Sequence, residues 1–168
     1  MRIRTLIEPT PVQLDDLCDV IIDCVEGGAS VSFMQPMTRD KALRFWRGVC
    51  ESAARGERVL LVAEDEGRIV GTVQVLVDMP ENQPHRGDVL KMLVHSSQRR
   101  KGIGEALMAA AEAAARAAGR TLLVLDTASD TAARLYERCG YRRVGSIPDY
   151  ALLPAGGYCD TVYFYKQL

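Results

Sequence analysis

The residues of this chain best suited to bind a phosphate group follow an apolar stretch that ends at His95. A basic run, Arg99-Arg100-Lys101, precedes Gly102 and Gly104 at the start of a predicted helix. The first backbone N–H groups of a helix lack intrahelical partners, and the helix dipole adds partial positive charge beside them. Glycine lets the backbone approach an anion closely because it has no Cβ. The pattern favours a phosphate-binding turn, and a solvated basic turn is the alternative interpretation.

A single carboxylate, Asp126, ends an otherwise apolar stretch that is predicted to be a strand over residues 121–127. Open α/β sheets bind ligands outside the carboxyl ends of their strands. A carboxylate in that position can act as a general base, whereas a solvated strand end is the simpler interpretation.

Length and composition limit the class of protein. With 168 residues, of which 48% are apolar, the chain predicts one domain over residues 1–168. A net charge of −1 argues against general nucleic-acid binding. Neither an apolar run of about 18 residues nor a signal-peptide pattern occurs, so we expect no membrane association and a cytoplasmic location. The five cysteines are unevenly spaced and predict reduced thiols, and no cluster has the spacing of metal ligands.

The predicted elements mix two kinds of strand pairing. Helices are predicted after Pro11, Thr38 and Gly102 and before Gly140. The turn at 65–67 predicts an antiparallel hairpin, and Gly71 within it predicts a bulge or a close backbone approach. The strand–helix–strand order from 88 to 127 predicts a right-handed crossover between parallel strands. The predicted strands are 2–8, 58–64, 68–78, 88–95, 121–127, 141–147 and 161–166, with loops at 79–87 and 148–157.

Two motifs, taken in order, resemble those of a known family. The pattern Arg99-x-x-Gly102-x-Gly104 after a strand resembles the acyl-CoA pyrophosphate loop of the GNAT superfamily of N-acetyltransferases. The run from Asp130 to Tyr141 resembles the superfamily helix with the pattern N-x-x-A-x-x-L-Y-x-x-x-G-F. Segments 123–127, 147–152 and 159–166 resemble a subgroup that includes the tabtoxin-resistance acetyltransferase, although one residue fewer separates Asp126 from Tyr136 here than in that subgroup. The resemblance covers nearly the whole chain.

This resemblance implies a fold, a reaction and a set of residues. The fold is α/β, with a mixed, mostly antiparallel central sheet splayed between two parallel strands and flanked by helices. The reaction moves the acetyl group of acetyl-CoA to an amine by direct attack, with Asp126 as base and Tyr136 as the acid that protonates the leaving thiolate. Asp130 departs from the Asn of the family. The implied cofactor-binding residues are Leu93, Val94, Arg99, Arg100, Lys101, Gly102, Ile103, Gly104 and Asp130.

Three loops are expected to border the acceptor of the acetyl group. Within them, Arg86 can hold a carboxylate through two hydrogen bonds. We therefore expect a small-molecule amine such as an amino acid or a peptide-like toxin, and a homodimer is possible. The expected substrate-binding residues are Ser32, Phe33, Asn82, His85 and Arg86, together with Met34, Asp149 and Tyr150 in the same loops.

Two other classes of function fit part of the sequence. A strand, Gly102-x-Gly104, a helix and a strand ending in Asp126 also imitate half of a Rossmann domain, as in an NAD(P)-binding oxidoreductase. Against that class, Leu107 occupies the third glycine position and antiparallel strands precede the motif. A P-loop is excluded because Gly104 is not followed by Lys and Ser or Thr. A domain that binds CoA without catalysis remains an alternative.

Overall fold

Seven strands and four α-helices make up the structure, a computed structural model that describes residues 1–168. None of the helices is both long and apolar enough to cross a bilayer. The strands are β1 Arg2–Thr5, β2 Arg58–Asp65, β3 Arg68–Leu76, β4 Arg86–Val94, β5 Leu122–Thr127, β6 Arg142–Leu152 and β7 Tyr158–Gln167. The helices are α1 Pro11–Glu26, α2 Arg39–Ala54, α3 Ile103–Ala117 and α4 Asp130–Arg138.

The strands form one sheet in the order β1-β2-β3-β4-β5-β7-β6. Neighbours β4 and β5 are parallel, and every other neighbouring pair is antiparallel. Helix α3 makes the crossover between the two parallel strands. The predicted α/β fold, with a mostly antiparallel sheet and a central parallel pair flanked by helices, is confirmed.

Helices cover the sheet on both faces. Because successive side chains of a strand point to opposite faces, Leu60 and Val62 of β2 pack with α1 and α2, whereas Leu61 and Ala63 pack with α3. The first face buries Leu17, Ile21 and Trp46, and the second buries Leu107, Met108, Leu123 and Phe164. The sheet therefore separates two apolar clusters, and any site within the sheet lies between them.

Two irregularities shape the central strands. Between β2 and β3 the register shifts next to Gly71, where a Cβ would lie 2.9 Å from the backbone oxygen of Leu93 on β4. The predicted bulge and close approach at Gly71 are both confirmed. A second shift sets two residues of β4, Lys91 and Met92, opposite the single residue 73 of β3. At this bulge Lys91 has a φ of 51°, in the left-handed region that few residues other than glycine adopt.

Several predicted boundaries were wrong. Strand β1 stops at Thr5 rather than at residue 8, β3 ends at Leu76 rather than at 78, and β4 starts at Arg86 rather than at 88. Half of the predicted loop 148–157 is strand, because β6 continues to Leu152, and β7 begins at Tyr158 rather than at 161. Strand β6 lies at the sheet edge and is exposed at almost every position, so its sequence lacks the alternation of a half-buried strand. An edge strand also tolerates Pro148, which has no N–H to donate.

Candidate active site

A gap opens between β4 and β5 toward their carboxyl ends. Pairing between the two strands ends at Asp88 and Val124, yet β4 continues to Val94 and β5 to Thr127. Leu93 remains paired with Thr72 of β3, so only the β5-facing edge of β4 borders the gap. An extended ligand arm can pair with such an edge as an added strand does. This geometry fits the role expected of the Leu93 and Val94 backbone.

The turn after β4 has the features of an anion-binding helix start. Gly102 caps α3 with a φ of 78°, and no side chain bonds to the first N–H groups of the helix. No atom lies within 4 Å of the position that a Cβ on Gly102 would take. Ile103 buries its side chain against the sheet, so it offers only its backbone N–H to a ligand. These features fit the pyrophosphate of a CoA molecule.

Gly104 serves a different purpose from Gly102. A Cβ on Gly104 would lie 3.0 Å from a methyl carbon of Leu135, the neighbour of Tyr136 on α4. The absence of a side chain at this position therefore brings the start of α3 close to α4. Asp130 is exposed in the first turn of α4, where Ser129 rather than Asp130 provides the N-cap through its bond from the N–H of Ala132.

The three cations of the loop differ in what they contact. Arg99 turns toward α1: its Nε donates to the backbone oxygen of Val94 at 3.0 Å, and a terminal nitrogen lies 3.7 Å from the Asp23 carboxylate. Arg100 is exposed with a φ of 61°, and Lys101 donates to Gln98 at the surface. Arg100 and Lys101 are thus the cations free to meet phosphate, whereas Arg99 fixes the loop to β4.

Asp23 of α1 holds the start of the same loop. Its carboxylate accepts hydrogen bonds from the N–H and the hydroxyl of Ser96, at 2.8 and 2.6 Å. Burial alone would raise the pKa of Asp23. The bonds from Ser96, with the charges of His95 and Arg99, outweigh burial and lower that pKa below its usual value. His95 therefore lies beside a hydrogen-bonded anchor of the loop, with its Nε2 3.7 Å from the Asp23 carboxylate.

Asp126 and Tyr136 lie on different elements, β5 and α4, but near enough for the charge of Asp126 to act on the pKa of Tyr136. Asp126 is exposed at the end of β5, and its Oδ2 accepts a hydrogen bond of 2.7 Å from the buried hydroxyl of Thr161. Tyr136 is buried on α4, with its ring centroid 6.0 Å from that of Phe164. Burial, and next the Asp126 charge, raise the pKa of Tyr136 well above its ordinary value. The phenol therefore keeps its proton at neutral pH.

A cavity of about 280 Å³ lies beside Asp126. The loop at 30–34, the end of β5 and the β6–β7 hairpin form its walls. The hydroxyl of the lining residue Tyr150 is 2.9 Å from that of Tyr163, and this bond raises the pKa of Tyr163 to about 12. The lining residues are Ser30, Ser32, Phe33, Met34, Asp126, Ala128, Tyr150, Ala151, Leu152, Cys159, Asp160 and Thr161.

The structure brings some of the expected acceptor residues to this cavity and not others. Ser32, Phe33, Met34 and Tyr150 line it. The other four, Asn82, His85, Arg86 and Asp149, do not. The first three lie before or at the amino end of β4, where the backbone oxygen of His85 accepts from the N–H of Leu122 and Arg86 is 3.3 Å from Asp88. The parallel strands run from that end toward the gap, so their carboxyl ends and the cavity lie at the opposite edge of the sheet. Asp149 instead bonds to Asp160 through its backbone N–H.

Sequence reasoning missed two charged residues next to the site. Burial, opposed by Arg86, raises the pKa of Asp88, and the Asp126 charge raises it further. Lys91 donates to the hydroxyl of Ser32 at 2.8 Å, and burial lowers the pKa of its ammonium. The parallel register of β4 and β5 sets Asp88 opposite Val124, two residues before Asp126, so both carboxylates lie on one face of the sheet. Alignment of the two predicted strands in this register would have indicated Asp88. Lys91 gave no such signal, because its position depends on the bulge.

The chain matches a known protein family and a curated relative. Residues 56–143 match the family model described as the acetyltransferase (GNAT) domain. An uncharacterized N-acetyltransferase of Azospirillum brasilense, encoded between hisH and hisA, is 33% identical over 128 residues, which are 75% of this chain and 74% of that protein.

Solved structures share the whole fold. The crystal structure of a ribosomal-protein-alanine N-acetyltransferase from Brucella melitensis has a TM-score of 0.82 and 25% identity over 100% of both chains. The structure of yncA from Salmonella typhimurium, solved with its cofactor acetyl-CoA, has a TM-score of 0.80 and 17% identity, and it covers 100% of this chain and 94% of that one. With the helix start and splayed strands described above, the family match identifies this chain as a member of the acetyltransferase (GNAT) family, an acetyl-CoA-dependent N-acetyltransferase.

Proposed function

We propose that the chain acetylates the amine of a small molecule, with Asp126 as the base and Tyr136 as the acid. One juxtaposition carries the proposal: Asp126 lies beyond the last residue of β5 that pairs with β4, lines the cavity, and acts through its charge on the protonated phenol of Tyr136. The cavity volume of about 280 Å³ is close to the lower end of the range for small-molecule sites, about 300 Å³.

The cosubstrate, acetyl-CoA, supplies the acetyl thioester when it is bound. The chain would hold its extended arm through the backbone of Leu93 and Val94. The N–H groups at the start of α3, with Arg100 and Lys101, would hold its phosphates. These assignments follow the free strand edge and the uncapped helix start.

Asp126 would remove the proton from the amine. An amine with a pKa near about 10 is mostly protonated at neutral pH and cannot attack until it loses a proton. Thr161 bonds to Oδ2 and fixes the carboxylate, and Oδ1 is left to face the acceptor. The proton could pass to Asp126 directly or through one water molecule.

Tyr136 would stabilise the leaving sulfur. The raised pKa keeps its hydroxyl protonated, so the hydroxyl can donate a hydrogen bond throughout the reaction. A thiol has an ordinary pKa of about 8.5, below that of this phenol, so complete proton transfer to sulfur is unfavourable in the ground state. Tyr136 therefore acts as the acid by donating this hydrogen bond while the carbon–sulfur bond breaks, and the released thiolate takes its proton from solvent.

Replacement of Tyr136 by Phe tests this role. We expect Tyr136→Phe to lower kcat by about 10²-fold and to leave acetyl-CoA affinity nearly unchanged, since loss of one hydrogen-bond donor to a developing negative charge costs about 10² to 10³ in kcat. Tyr141→Phe is a matched control, because Tyr141 lies in the same aromatic cluster and its buried hydroxyl has no hydrogen-bond partner. Equal kcat losses in the two variants would mean that the aromatic packing, and not the hydroxyl of Tyr136, matters.

Replacement of Asp126 by Asn tests the base. The variant should lose the acidic limb of the pH–rate profile, because no carboxylate remains to titrate there. A profile that keeps its acidic limb, with turnover near that of the native protein, would exclude Asp126 as the base.

A second class of acceptor, the N-terminal amine of a protein, is favoured by the name of the Brucella relative, a ribosomal-protein-alanine N-acetyltransferase. A screen of free amino acids, small amines and short peptides with acetyl-CoA distinguishes the two classes. Acetylation of peptide N-termini alone would replace the small-molecule acceptor with a protein.

The predicted homodimer could form through the exposed edge of the sheet. Strand β6 exposes Val144, Ile147 and Leu152, apolar side chains that a second copy could cover. Light scattering should then give twice the mass of one chain for the native protein and a single mass for Ile147→Lys, and a monomeric native protein would contradict this.

A further inference from the structure

We propose that Lys91 binds an acid group that the acceptor carries next to its amine, so that the acceptor is a zwitterion such as a free amino acid. The inference rests on the proposed function, because it concerns the acceptor cavity of the same reaction. It assigns a binding role to a residue that the sequence did not single out.

The backbone of β4 is distorted at Lys91 itself. Lys91 and Met92 lie together opposite one residue of β3, and the φ of Lys91 is 51°. Residues other than glycine rarely adopt this region, and those that do concentrate at binding and catalytic sites. The distortion interrupts the regular alternation of β4 where the strand borders the gap.

The ammonium of Lys91 has few partners for a half-buried cation. Its Nζ donates to the Ser32 hydroxyl at 2.8 Å and lies 6.0 Å from the centre of the Phe33 ring. An ammonium has three donors, and the structure gives it one acceptor and no ion pair. A desolvated cation with unused donors attracts an anionic group.

The neighbours of Lys91 connect it to the acceptor cavity. Ser32 and Phe33, which contact its ammonium, both line that cavity, and so does Asp126. The charged groups that act on Lys91 are Asp126 of β5 and Arg58 of β2. The cavity therefore has a carboxylate, Asp126, in its wall and a cation, Lys91, hydrogen-bonded to the wall residue Ser32. An amino acid matches both, with its carboxylate on Lys91 and its amine on Asp126.

Other cations of the region are already engaged. Arg58 donates to Ser52 at 2.9 Å and to Gln74 at 2.8 Å. Arg86, which the sequence suggested for a carboxylate, lies at the far end of β4 beside Asp88. Lys91 is the cation whose donors remain available next to Asp126.

The test compares free amino acids with their α-carboxamides as acceptors. The amide keeps the amine and the side chain but has no negative charge. In the native protein, kcat/KM should favour the acid. In Lys91→Met, KM for the acid should rise about tenfold or more, while KM for the amide and the affinity for acetyl-CoA should change less than about threefold.

Lys41→Met is the matched control. Lys41 also ties the loop at 30–36 to the body of the protein, through the backbone oxygens of Met34 and Pro36 at 3.0 and 3.3 Å. Its removal loosens the same loop and leaves Lys91 in place, so the preference for acid over amide should persist. Lys91→Arg, which keeps the charge, should retain part of the preference.

Three results would overturn the inference. If Lys91→Met weakens acid and amide equally, Lys91 only anchors the loop. If the native protein acetylates amines without preferring the acid, the zwitterion assignment is wrong although the proposed function stands. If it acetylates no amine of the panel but acetylates peptide N-termini, the small-molecule function is wrong and this inference falls with it.

Discussion

Replacing Gly102 by alanine should weaken acetyl-CoA binding in addition to lowering stability. The same replacement at a second glycine, Gly119, is a matched control that should lower stability alone. Gly102 precedes α3 with a φ of 78°, and Gly119 follows the same helix with a φ of 74°. At both positions a Cβ would have no atom within 4 Å. Gly102→Ala and Gly119→Ala therefore impose the same backbone strain without a steric clash.

Backbone strain should lower the stability of both variants, whereas loss of a phosphate contact should lower the acetyl-CoA affinity of Gly102→Ala alone. Placing alanine in the left-handed region costs roughly 1–2 kcal/mol, which lowers Tm by about 2–8 °C in a protein of this size. Both variants should lose this much. A hydrogen bond to a charged oxygen contributes about 1.5–3 kcal/mol. If the new methyl group displaces phosphate from one N–H at the start of α3, Kd for acetyl-CoA rises about 10- to 100-fold in Gly102→Ala alone.

Calorimetric titration with acetyl-CoA and thermal melting of both variants measure these quantities. The expected result is two similar losses of Tm and one loss of affinity. Equal affinity for acetyl-CoA in the two variants would refute the placement of phosphate at Gly102. Unequal losses of Tm, with the larger at Gly102, would mean that the helix start matters to folding beyond its φ.

Two further predictions concern stability. Burial raises the pKa of Asp88, so the folded protein binds its proton more tightly than the unfolded chain does, and stability due to this group is lost as pH rises through the raised pKa. Asp88→Asn should therefore raise Tm at pH 7, with a gain that shrinks in acid; a gain that grows on acidification would show the opposite shift. Lys166 bonds to Glu112, whose side chain is only 11% exposed. Removing one partner of a buried ion pair costs about 3–5 kcal/mol, so Lys166→Met should lower the free energy of unfolding by a few kcal/mol in denaturant titrations. Glu112→Gln in the same chain should restore part of the loss, and a double variant as unstable as Lys166→Met alone would contradict the pairing.

The central part of the fold could be predicted because several local signals agree there. The hairpin turn at Glu66 and Gly67, both with positive φ, matched its sequence, and so did the glycine that starts α3. The strand–helix–strand order fixed the parallel pair. The second half of β6, after residue 147, gave no comparable signal: it is largely exposed and contains Pro148, so neither alternation nor propensity distinguished it from a loop.

The candidate site was predictable where it depends on chain direction and not where it depends on bulges. Asp126 and the Gly102 turn follow from the carboxyl ends of parallel strands. The same rule places Arg86, at the beginning of β4, on the opposite edge, so its assignment to the acceptor could have been avoided. Lys91 lies at a register shift between β3 and β4, which depends on tertiary packing that no local pattern reports.

The walls of the acceptor cavity and the turn proposed for CoA come from different parts of the sequence, and this affects how the protein can change. Most of its wall comes from residues 30–34 and 150–161, two segments remote in sequence, whereas the turn proposed for CoA lies at 99–104, within the region 56–143 that matches the family model. Under the proposed function, donor and acceptor are thus bound by stretches of chain that can mutate separately. We expect exchange of the loop at 30–34 and the β6–β7 hairpin to change the acceptor, while the crossover proposed to bind acetyl-CoA is kept.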